Sequence, residues 1–217
     1  MNTPFIKPLI WITSIIAIAL VVWGILRIPR VSLPKPVTIS TVQQPTLGSP
    51  TASVHIVAFE DLKCGNCQRY TTTLFPTIKK EYIDTGIVQY TIVLLAFIPG
   101  SIPAANAALC LYHQNPSYFF PFVDYLYQHQ PSEETDWATI ATLLQFAQAS
   151  VPKADQNTLS NCIFTGQYTD TLNNNLQLAG KVMTQIATPT IYVNGVIVQP
   201  LTLERMRNLI NAAREKN

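Results

Sequence analysis

Two cysteines separated by two residues follow a short apolar segment and open a predicted helix. The pair is Cys64-Gly-Asn-Cys67, and residues 54–59 before it read as a buried strand. At the first turn of a helix, Cys64 faces unpaired backbone N–H groups and the positive end of the helix dipole, which stabilise a thiolate. Cys67 lies one turn deeper on the same face, within disulfide reach. The pattern predicts thiol–disulfide exchange, with Cys64 as the attacking sulfur and Cys67 as the resolving sulfur.

Two other interpretations of this pair stay open from the residues alone. One is half of a zinc site, which needs a second pair of ligands, whereas Cys110 and Cys162 stand alone in the sequence. The other is a structural pair without chemistry. The order of strand, cysteine pair and helix favours redox chemistry over both, and the three scattered histidines show no ligand spacing, so we predict no metal site.

The flanking segments predict an α/β domain with a long helical insertion. The expected order is strand, helix, strand, helical block, hairpin and helix, with the hairpin turn at Asn194-Gly195. Pro76 is expected to kink the helix after the cysteines, and a weak alternation over residues 37–42 is consistent with an edge strand. The predicted strands are residues 54–59, 87–96 and the hairpin 188–198; the predicted helices are residues 68–84, 104–114, 117–128, 135–149, 153–164, 168–185 and 201–215.

The first 27 residues predict a membrane anchor. No charged residue lies between Lys7 and Arg27, and residues 9–26 are apolar on all sides. At ~1.5 Å per residue this stretch spans roughly 27 Å, enough for the hydrocarbon core. Trp11 and Trp23 lie near its two ends, where indole rings favour the interface. A cleaved signal peptide is the alternative, but the apolar run exceeds the usual length and no small-x-small cleavage site follows it, so we expect an uncleaved transmembrane helix.

A proline-rich segment separates this anchor from the rest of the chain. Proline at such density resists helix formation and favours an extended tether. The predicted organisation is therefore an anchor (1–27), a linker (28–50) and one domain (51–217) with a helical insertion at about residues 104–186. The linker prolines are Pro29, Pro34, Pro36, Pro45 and Pro50.

Charge excludes some classes of function. The chain has 14 Lys+Arg against 12 Asp+Glu, a net charge of +2, so no basic excess exists to neutralise nucleic-acid phosphates. No glycine-rich phosphate-binding motif occurs. We therefore predict neither a nucleic-acid partner nor a cofactor.

Three segments resemble the DsbA-like thiol-disulfide oxidoreductases of the thioredoxin superfamily. In residues 48–67, a Gly-x-Pro-x-Ala lead precedes a strand that ends in Phe-x-Asp and then Cys-x-x-Cys. Residues 101–110 are similar to the alanine-rich first helix of the family's inserted domain. Residues 187–195, Ala-Thr-Pro-Thr-Ile-Tyr-Val-Asn-Gly, are similar to its Thr-Pro block. The resemblance covers residues 48–215 and implies a thioredoxin-like fold with an inserted helical domain.

The resemblance also implies roles for three further residues. Pro189 corresponds to a cis proline that packs against the active-site cysteines, and Thr188 to a residue that offers backbone hydrogen bonds to a substrate chain. A trans proline at the start of a strand is the alternative. Asp61 matches the family's acidic residue three positions before the first cysteine, and if buried it could relay a proton to or from Cys67. A solvated or helix-capping carboxylate is the alternative there.

The remaining two cysteines predict a structural disulfide. The Cys-x-x-Cys motif accounts for one pair, which leaves Cys110 and Cys162 in two helices of the insertion. Closing a loop of about 50 residues would stabilise the fold by roughly 4 kcal/mol; two buried free thiols are the alternative. A structural disulfide indicates an oxidising compartment. We therefore expect the domain outside the cytoplasm, although Arg27, Arg30 and Lys35 after the anchor indicate the opposite orientation.

These features together predict a membrane-anchored oxidase on the periplasmic or extracellular side. It would exchange its Cys64–Cys67 disulfide with unfolded or reduced exported proteins, and the resemblance implies reoxidation by a membrane partner of DsbB or VKOR type. Many strong oxidases of the family carry Pro-His or Pro-Tyr where this chain has Gly65-Asn66. A reductase or isomerase using the same site, and a non-catalytic chaperone or interaction module, therefore stay open as alternatives.

Overall fold

The computed structural model describes residues 11, 14–18, 20, 23 and 34–215. The chain divides into two units, Met1–Leu33 and Pro34–Asn217. Most of the membrane anchor predicted at residues 9–26, and the first residues of the predicted linker, lie outside the described residues. Within the described part, no helix combines the length and the apolar character needed to cross a bilayer.

A five-stranded sheet forms the centre of the second unit. Strands β2 (Val54–Asp61) and β3 (Val88–Leu95) run parallel in its interior, with Val54 opposite Val88 and Asp61 opposite Leu95, and the other strand pairs are antiparallel. Both central strands are buried along almost their whole length, as expected for a parallel pair covered on both faces. In spatial order the strands are β1 (Thr46–Leu47), β3 (Val88–Leu95), β2 (Val54–Asp61), β4 (Thr190–Val193) and β5 (Val196–Ile197).

Helices cover both faces of this sheet, and five of them form the insertion between β3 and β4. The element order predicted from the sequence is confirmed, and the helices of the insertion run from residue 102 to residue 182. The α-helices within residues 34–215 are α1 (Gly65–Thr73), α2 (Phe75–Ile78), α3 (Ile102–Gln114), α4 (Phe119–His129), α5 (Ile140–Ser150), α6 (Gln156–Thr165), α7 (Thr169–Val182) and α8 (Leu203–Arg214).

Alternation along β2 divides its side chains between two cores. Ile56 and Ala58 join the larger core, which the sheet shares with α1, α8 and most of the insertion. Val57 and Phe59 point to the other face, where they pack with Ala179 of α7. Since successive side chains of a strand alternate between faces, each residue near the end of β2 is committed to one core or the other. This alternation places the adjacent acidic residues Glu60 and Asp61 on different faces of β2.

The predicted hairpin turn is confirmed. Asn194 has φ +44° and Gly195 has φ +78°, so both central residues adopt the positive φ of a type I′ turn. A Cβ at Gly195 would make a steric clash with the Val37 carbonyl oxygen, so only glycine fits this position. The Val37 N–H in turn donates to the Gly195 oxygen at 2.9 Å. Val37 therefore lies against the turn, residues 37–42 do not form the expected edge strand, and the edges of the sheet are β1 and β5.

Two helix boundaries also differ from the sequence expectation. The helix after the cysteines breaks at Leu74, two residues before Pro76, because the proline occupies the first turn of α2, where its missing N–H costs no hydrogen bond. It then continues into a π-helical turn, Lys79–Ile83. The helix expected from residue 135 begins only at Ile140, where the Thr139 side chain caps it by accepting from the Thr142 N–H.

Candidate active site

Cys64 and Cys67 lie at the start of α1, directly after β2. Cys64 is the N-cap residue, and its sulfur accepts a hydrogen bond from the Cys67 backbone N–H at 3.4 Å. Both side chains are free thiols; Cys67 is fully buried, whereas Cys64 keeps 5% of its surface exposed. Only Cys64 is therefore accessible to another protein chain.

The Thr188–Pro189 segment lies against the Cys64 sulfur. The peptide bond between these two residues is cis, and β4 begins immediately after it. The Cys64 thiol donates to the Thr188 carbonyl oxygen, with the sulfur and oxygen 3.5 Å apart. Antiparallel pairing of β4 with β2 thus brings together two segments that are 124 residues apart in the sequence.

The two sulfurs differ strongly in acidity. Hydrogen bonds to its sulfur, foremost from the Cys67 thiol and also from the N–H groups of Cys67 and Asn66, outweigh burial and lower the pKa of Cys64 to about 6. Burial, followed by the hydrogen bond to Cys64, raises the pKa of Cys67 well above its ordinary value. At neutral pH the reduced site therefore carries a thiolate at Cys64 and a thiol at Cys67.

A buried carboxylic acid close to the sulfurs, Glu60, was not predicted from the sequence. Its Oε1 accepts from the Tyr90 hydroxyl at 2.9 Å, and its Oε2 accepts from the Thr71 hydroxyl at 3.4 Å. Burial, only partly offset by hydrogen bonds that include Tyr127, raises the pKa of Glu60 to about 7. After burial and the Cys64 hydrogen bond, the charge of Glu60 is a further cause of the raised pKa of Cys67. The pair is therefore coupled in its titration.

Asp61, the acid predicted as a proton relay, is buried as well but binds a different set of donors. Its Oδ2 accepts from the N–H groups of Phe97 and Ile98 and from the Ser101 hydroxyl, at 3.0–3.1 Å. Its Oδ1 accepts from the Lys63 N–H at 2.9 Å. Burial raises the pKa of Asp61, against these hydrogen bonds. Its carboxylate fixes the loop at residues 97–101 to the turn that carries Cys64.

A cavity of about 920 Å³ borders Glu60. Thr71, Tyr90 and Phe75 line it near the buried carboxyl group, and the exposed residues Ser117 and Asp124 line its outer part. Neither active-site cysteine lines it. The cavity therefore reaches Glu60 without bordering either sulfur.

A second unpredicted carboxylate, Glu133, reaches α1 from the segment between α4 and α5. Its Oε2 accepts from the Gly65 N–H at 2.6 Å, a contact across 68 residues of sequence. No sequence pattern marked this pairing, because it depends on how the insertion packs on the cysteine helix.

The other two cysteines are joined within the insertion. The disulfide Cys110–Cys162 links α3 to α6, with an S–S distance of 2.02 Å. Among the residues that the structure describes, no three His, Cys, Asp or Glu side chains are grouped so as to hold a metal ion.

The sequence also matches proteins of known class. The family model described as thioredoxin matches residues 40–212. Disulfide bond formation protein D of Bacillus subtilis is 34% identical over 157 residues, which are 72% of this chain and 70% of that protein. The chain belongs to the DsbA-like thioredoxin superfamily. A putative protein-disulfide oxidoreductase of Rickettsia typhi is similar at 26% identity over 78% of this chain and 61% of its own length.

Solved structures of DsbA-like proteins share the fold of this chain. Oxidised BdbD from Bacillus subtilis superposes with a TM-score of 0.78 at 29% identity, over 85% of this chain and 100% of that one. DsbA from Chlamydia trachomatis superposes with a TM-score of 0.76 at 29% identity, over 85% and 99%. The predicted thioredoxin-like fold with a helical insertion is confirmed, and this DsbA-like protein is a protein thiol-disulfide oxidoreductase.

Proposed function

We propose that this chain is a disulfide-forming oxidase that passes its Cys64–Cys67 disulfide to exported proteins outside the cytoplasm. The observation that carries the proposal is the difference in acidity between the two sulfurs. A pKa of about 6 at Cys64 favours the reduced form of the site, because the thiolate is stabilised. Disulfide bond formation protein D of Bacillus subtilis, which is similar over most of both chains, supports the same direction.

The exchange uses the two sulfurs in turn. A substrate thiolate attacks Cys64, the Cys64–Cys67 bond breaks, and its electron pair goes to Cys67, which takes up a proton. A second substrate thiolate then attacks the substrate sulfur of the mixed disulfide and releases Cys64 as a thiolate. The substrate loses two electrons and two protons; one proton stays on Cys67 and the other passes to solvent. The low pKa of Cys64 makes it the better leaving group in the second step.

Glu60, rather than Asp61, supplies the proton that Cys67 takes up. A pKa of about 7 leaves Glu60 partly protonated at neutral pH, so it can both give and regain a proton. Its charge acts on Cys67, whereas the Asp61 carboxylate is occupied by four donors, three of them in the loop at residues 97–101. Asp61 is then a positioning residue for that loop.

The segment at Thr188 and Pro189, with the neighbouring loop, receives the substrate chain. The Thr188 carbonyl oxygen lies 3.5 Å from the Cys64 sulfur, so a substrate cysteine bonded to Cys64 lies beside this backbone. Phe97 and Ile102 are large apolar side chains with 42% and 45% of their surface exposed, at either end of the loop that Asp61 fixes. Exposed apolar surface on a loop that is hydrogen-bonded to Asp61 and Lys63, next to Cys64 in the chain, suits an unfolded substrate.

The Cys110–Cys162 disulfide supports an extracytoplasmic location, because such bonds persist in oxidising compartments. The single-pass anchor at residues 9–26 stays a prediction from hydropathy. Reoxidation then falls to a membrane partner of DsbB or VKOR type.

Oxidation of reduced ribonuclease by the wild type, Cys64→Ala and Cys67→Ala tests the proposal. Only the wild type should complete the reaction, because Cys64→Ala and Cys67→Ala each lack the disulfide that the substrate reduces. Given a peptide that already contains a disulfide, reduced Cys67→Ala should accumulate a mixed disulfide: Cys64 attacks the peptide disulfide, one peptide thiolate leaves, and no resolving sulfur then displaces Cys64. A reduction potential near −120 mV would support the oxidase, and one near −270 mV would favour the reductase. Wild-type activity in Cys64→Ala would refute the proposal.

A further inference from the structure

The first backbone N–H groups of α1 are shared between two acidic side chains. The Cys64 sulfur accepts the N–H of Cys67 at 3.4 Å, and the Glu133 carboxylate accepts the N–H of Gly65 at 2.6 Å. A helix N-terminus stabilises any anion within its first turn. When Cys64 is ionised, two negative charges therefore lie at one helix end.

The segment that carries Glu133 is attached to the cysteine turn on both sides. The Gln130 side chain donates to the Lys63 carbonyl oxygen at 3.3 Å, and Gln68 of α1 donates to the Gln130 carbonyl oxygen at 3.4 Å. These two contacts hold the start of the segment against residues on either side of Cys64. The Glu133 carboxylate is therefore presented to Gly65 by an anchored backbone.

The identity of residue 65 makes the contact possible. Glycine provides a backbone N–H at the first helical position, which proline in the same place would lack. A Cβ on residue 65 would lie 3.4 Å from the Glu133 Oε2, an ordinary contact, so space is not what requires glycine. The N–H itself is what the carboxylate uses.

No cation neutralises Glu133 in the described part of the chain. Lys63 donates to the Pro99 carbonyl oxygen at 2.7 Å, and Arg69 donates to the Asn66 side chain at 3.2 Å. Neither forms a salt bridge with Glu133 within residues 34–215. The other acidic groups around the turn are Glu60 and Asp61 in β2, and Glu134 and Asp136 in the same segment as Glu133.

We propose that Glu133 is a positioning residue that limits the acidity of Cys64 by holding a competing negative charge at the N-terminus of α1. The inference rests on the proposed role of Cys64 as the attacking sulfur. Like charges at one helix end disfavour the second ionisation. Glu133 therefore destabilises the Cys64 thiolate, and with it the reduced form of the site, and makes the protein a milder oxidant.

Glu133→Gln tests this, because its amide oxygen can still accept from the Gly65 N–H while the charge is removed. Thiolate absorbance against pH should show the Cys64 pKa lowered by about 0.5–1 unit. The equilibrium constant with glutathione should move roughly three- to tenfold toward the reduced protein, where tenfold corresponds to about 30 mV. A structural role alone would move neither quantity in this direction.

Glu134→Gln is the matched control, since it removes an equal charge from the adjacent residue. Its effect on the Cys64 pKa should be well under half that of Glu133→Gln. In a Gly65→Pro background, which removes the donor at a position that tolerates proline, Glu133→Gln should have a smaller effect than in the wild type.

Equal effects of Glu133→Gln and Glu134→Gln, or an unchanged Cys64 pKa in Glu133→Gln, would overturn the inference. If the protein is active and Cys64 has a low pKa that Glu133→Gln does not change, only this inference is refuted. A wild-type Cys64 with the pKa of an ordinary thiol refutes the proposed function instead.

Discussion

At the scale of single residues, the site is defined by which neighbouring acid faces the buried sulfur. Glu60 and Asp61 are adjacent, yet only Glu60 shares the face of β2 that carries Ile56 and Ala58 toward α1. The family resemblance points to Asp61 because its pattern counts three positions back from the first cysteine. Period-two alternation was the sequence signal that favoured Glu60, together with the rarity of a glutamate within a buried strand.

Glu60→Gln should slow the first exchange step, because Cys67 loses its proton donor. We expect the single-turnover reaction of the oxidised protein with a reduced peptide to be roughly tenfold to a hundredfold slower at pH 7. The rate of the wild type should also show a titration with midpoint near pH 7 that the variant lacks. Asp61→Asn is the control, and it should keep that midpoint; the same midpoint in Glu60→Gln would contradict the assignment.

Glu60→Gln should make the protein more stable at high pH, although it slows the reaction. The pKa of Glu60 is raised by folding, so its contribution to stability is fully present below its unfolded value, near pH 4.5, and is lost as the pH rises through about 7. Above pH 7 Glu60→Gln should therefore gain up to about 3 kcal/mol relative to the wild type. Urea unfolding of the oxidised proteins at pH 4 and pH 8 measures this, and a gain that is no larger at pH 8 than at pH 4 would count against it.

Cys64 should titrate in the reduced protein with a midpoint near pH 6. Its pKa is lowered by folding, so the stabilisation of the reduced protein is complete above the unfolded value of about 8.5 and is lost as the pH falls through about 6. The stability of the reduced protein relative to the oxidised protein should thus rise between these two values. Paired denaturation curves across this range provide the measurement, and a flat difference would contradict the low pKa.

At the scale of elements, the structure follows the sequence where local signals suffice. The Asn194-Gly195 turn was predictable because few other residue pairs adopt positive φ twice in succession. The break at Leu74 was displaced from Pro76, since proline is compatible with the first turn of a new helix as well as with a kink. The late start of α5 follows from the Thr139 cap, a local signal that apolar periodicity does not show. The Glu133 contact depends on packing between distant segments, which periodicity does not encode.

Removal of the insertion's disulfide should separate stability from chemistry. The double variant Cys110→Ala/Cys162→Ala should lose roughly 2–4 kcal/mol of unfolding free energy, because it releases a long loop in the unfolded chain. Its rate of ribonuclease oxidation under native conditions should stay close to that of the wild type, since Cys64 and Cys67 are a separate pair. A large fall in rate with an intact fold would assign this disulfide to the exchange itself.

At the scale of the whole molecule, one sulfur is surrounded by three distant parts of the chain. β2 and α1 carry Cys64, the insertion supplies Glu133, and the segment before β4 supplies Thr188. The motifs at both ends of the fold were recognisable in the sequence. The contribution of the insertion was not, because its helices carry no signature of what they contact.

The predicted anchor is tested with the full chain and a variant that lacks residues 1–33. We expect the full chain to stay with membranes after a carbonate wash, because residues 9–26 are long enough to span the hydrocarbon core. The shortened chain should be released while retaining oxidase activity, since Pro34–Asn217 forms a unit of its own with its own core. Release of the full chain by the wash would exclude the anchor.

The cavity beside Glu60 has a consequence for timing. A substrate polypeptide docked on Cys64 shields that sulfur from water, yet the cavity reaches the Glu60 carboxyl group without bordering either sulfur. With Glu60 as the proton donor, protons from solvent reach its carboxyl group through this cavity, whereas the substrate polypeptide docks on Cys64. Glu60 can then be reprotonated while the mixed disulfide is still in place. Its reprotonation therefore does not depend on release of the product.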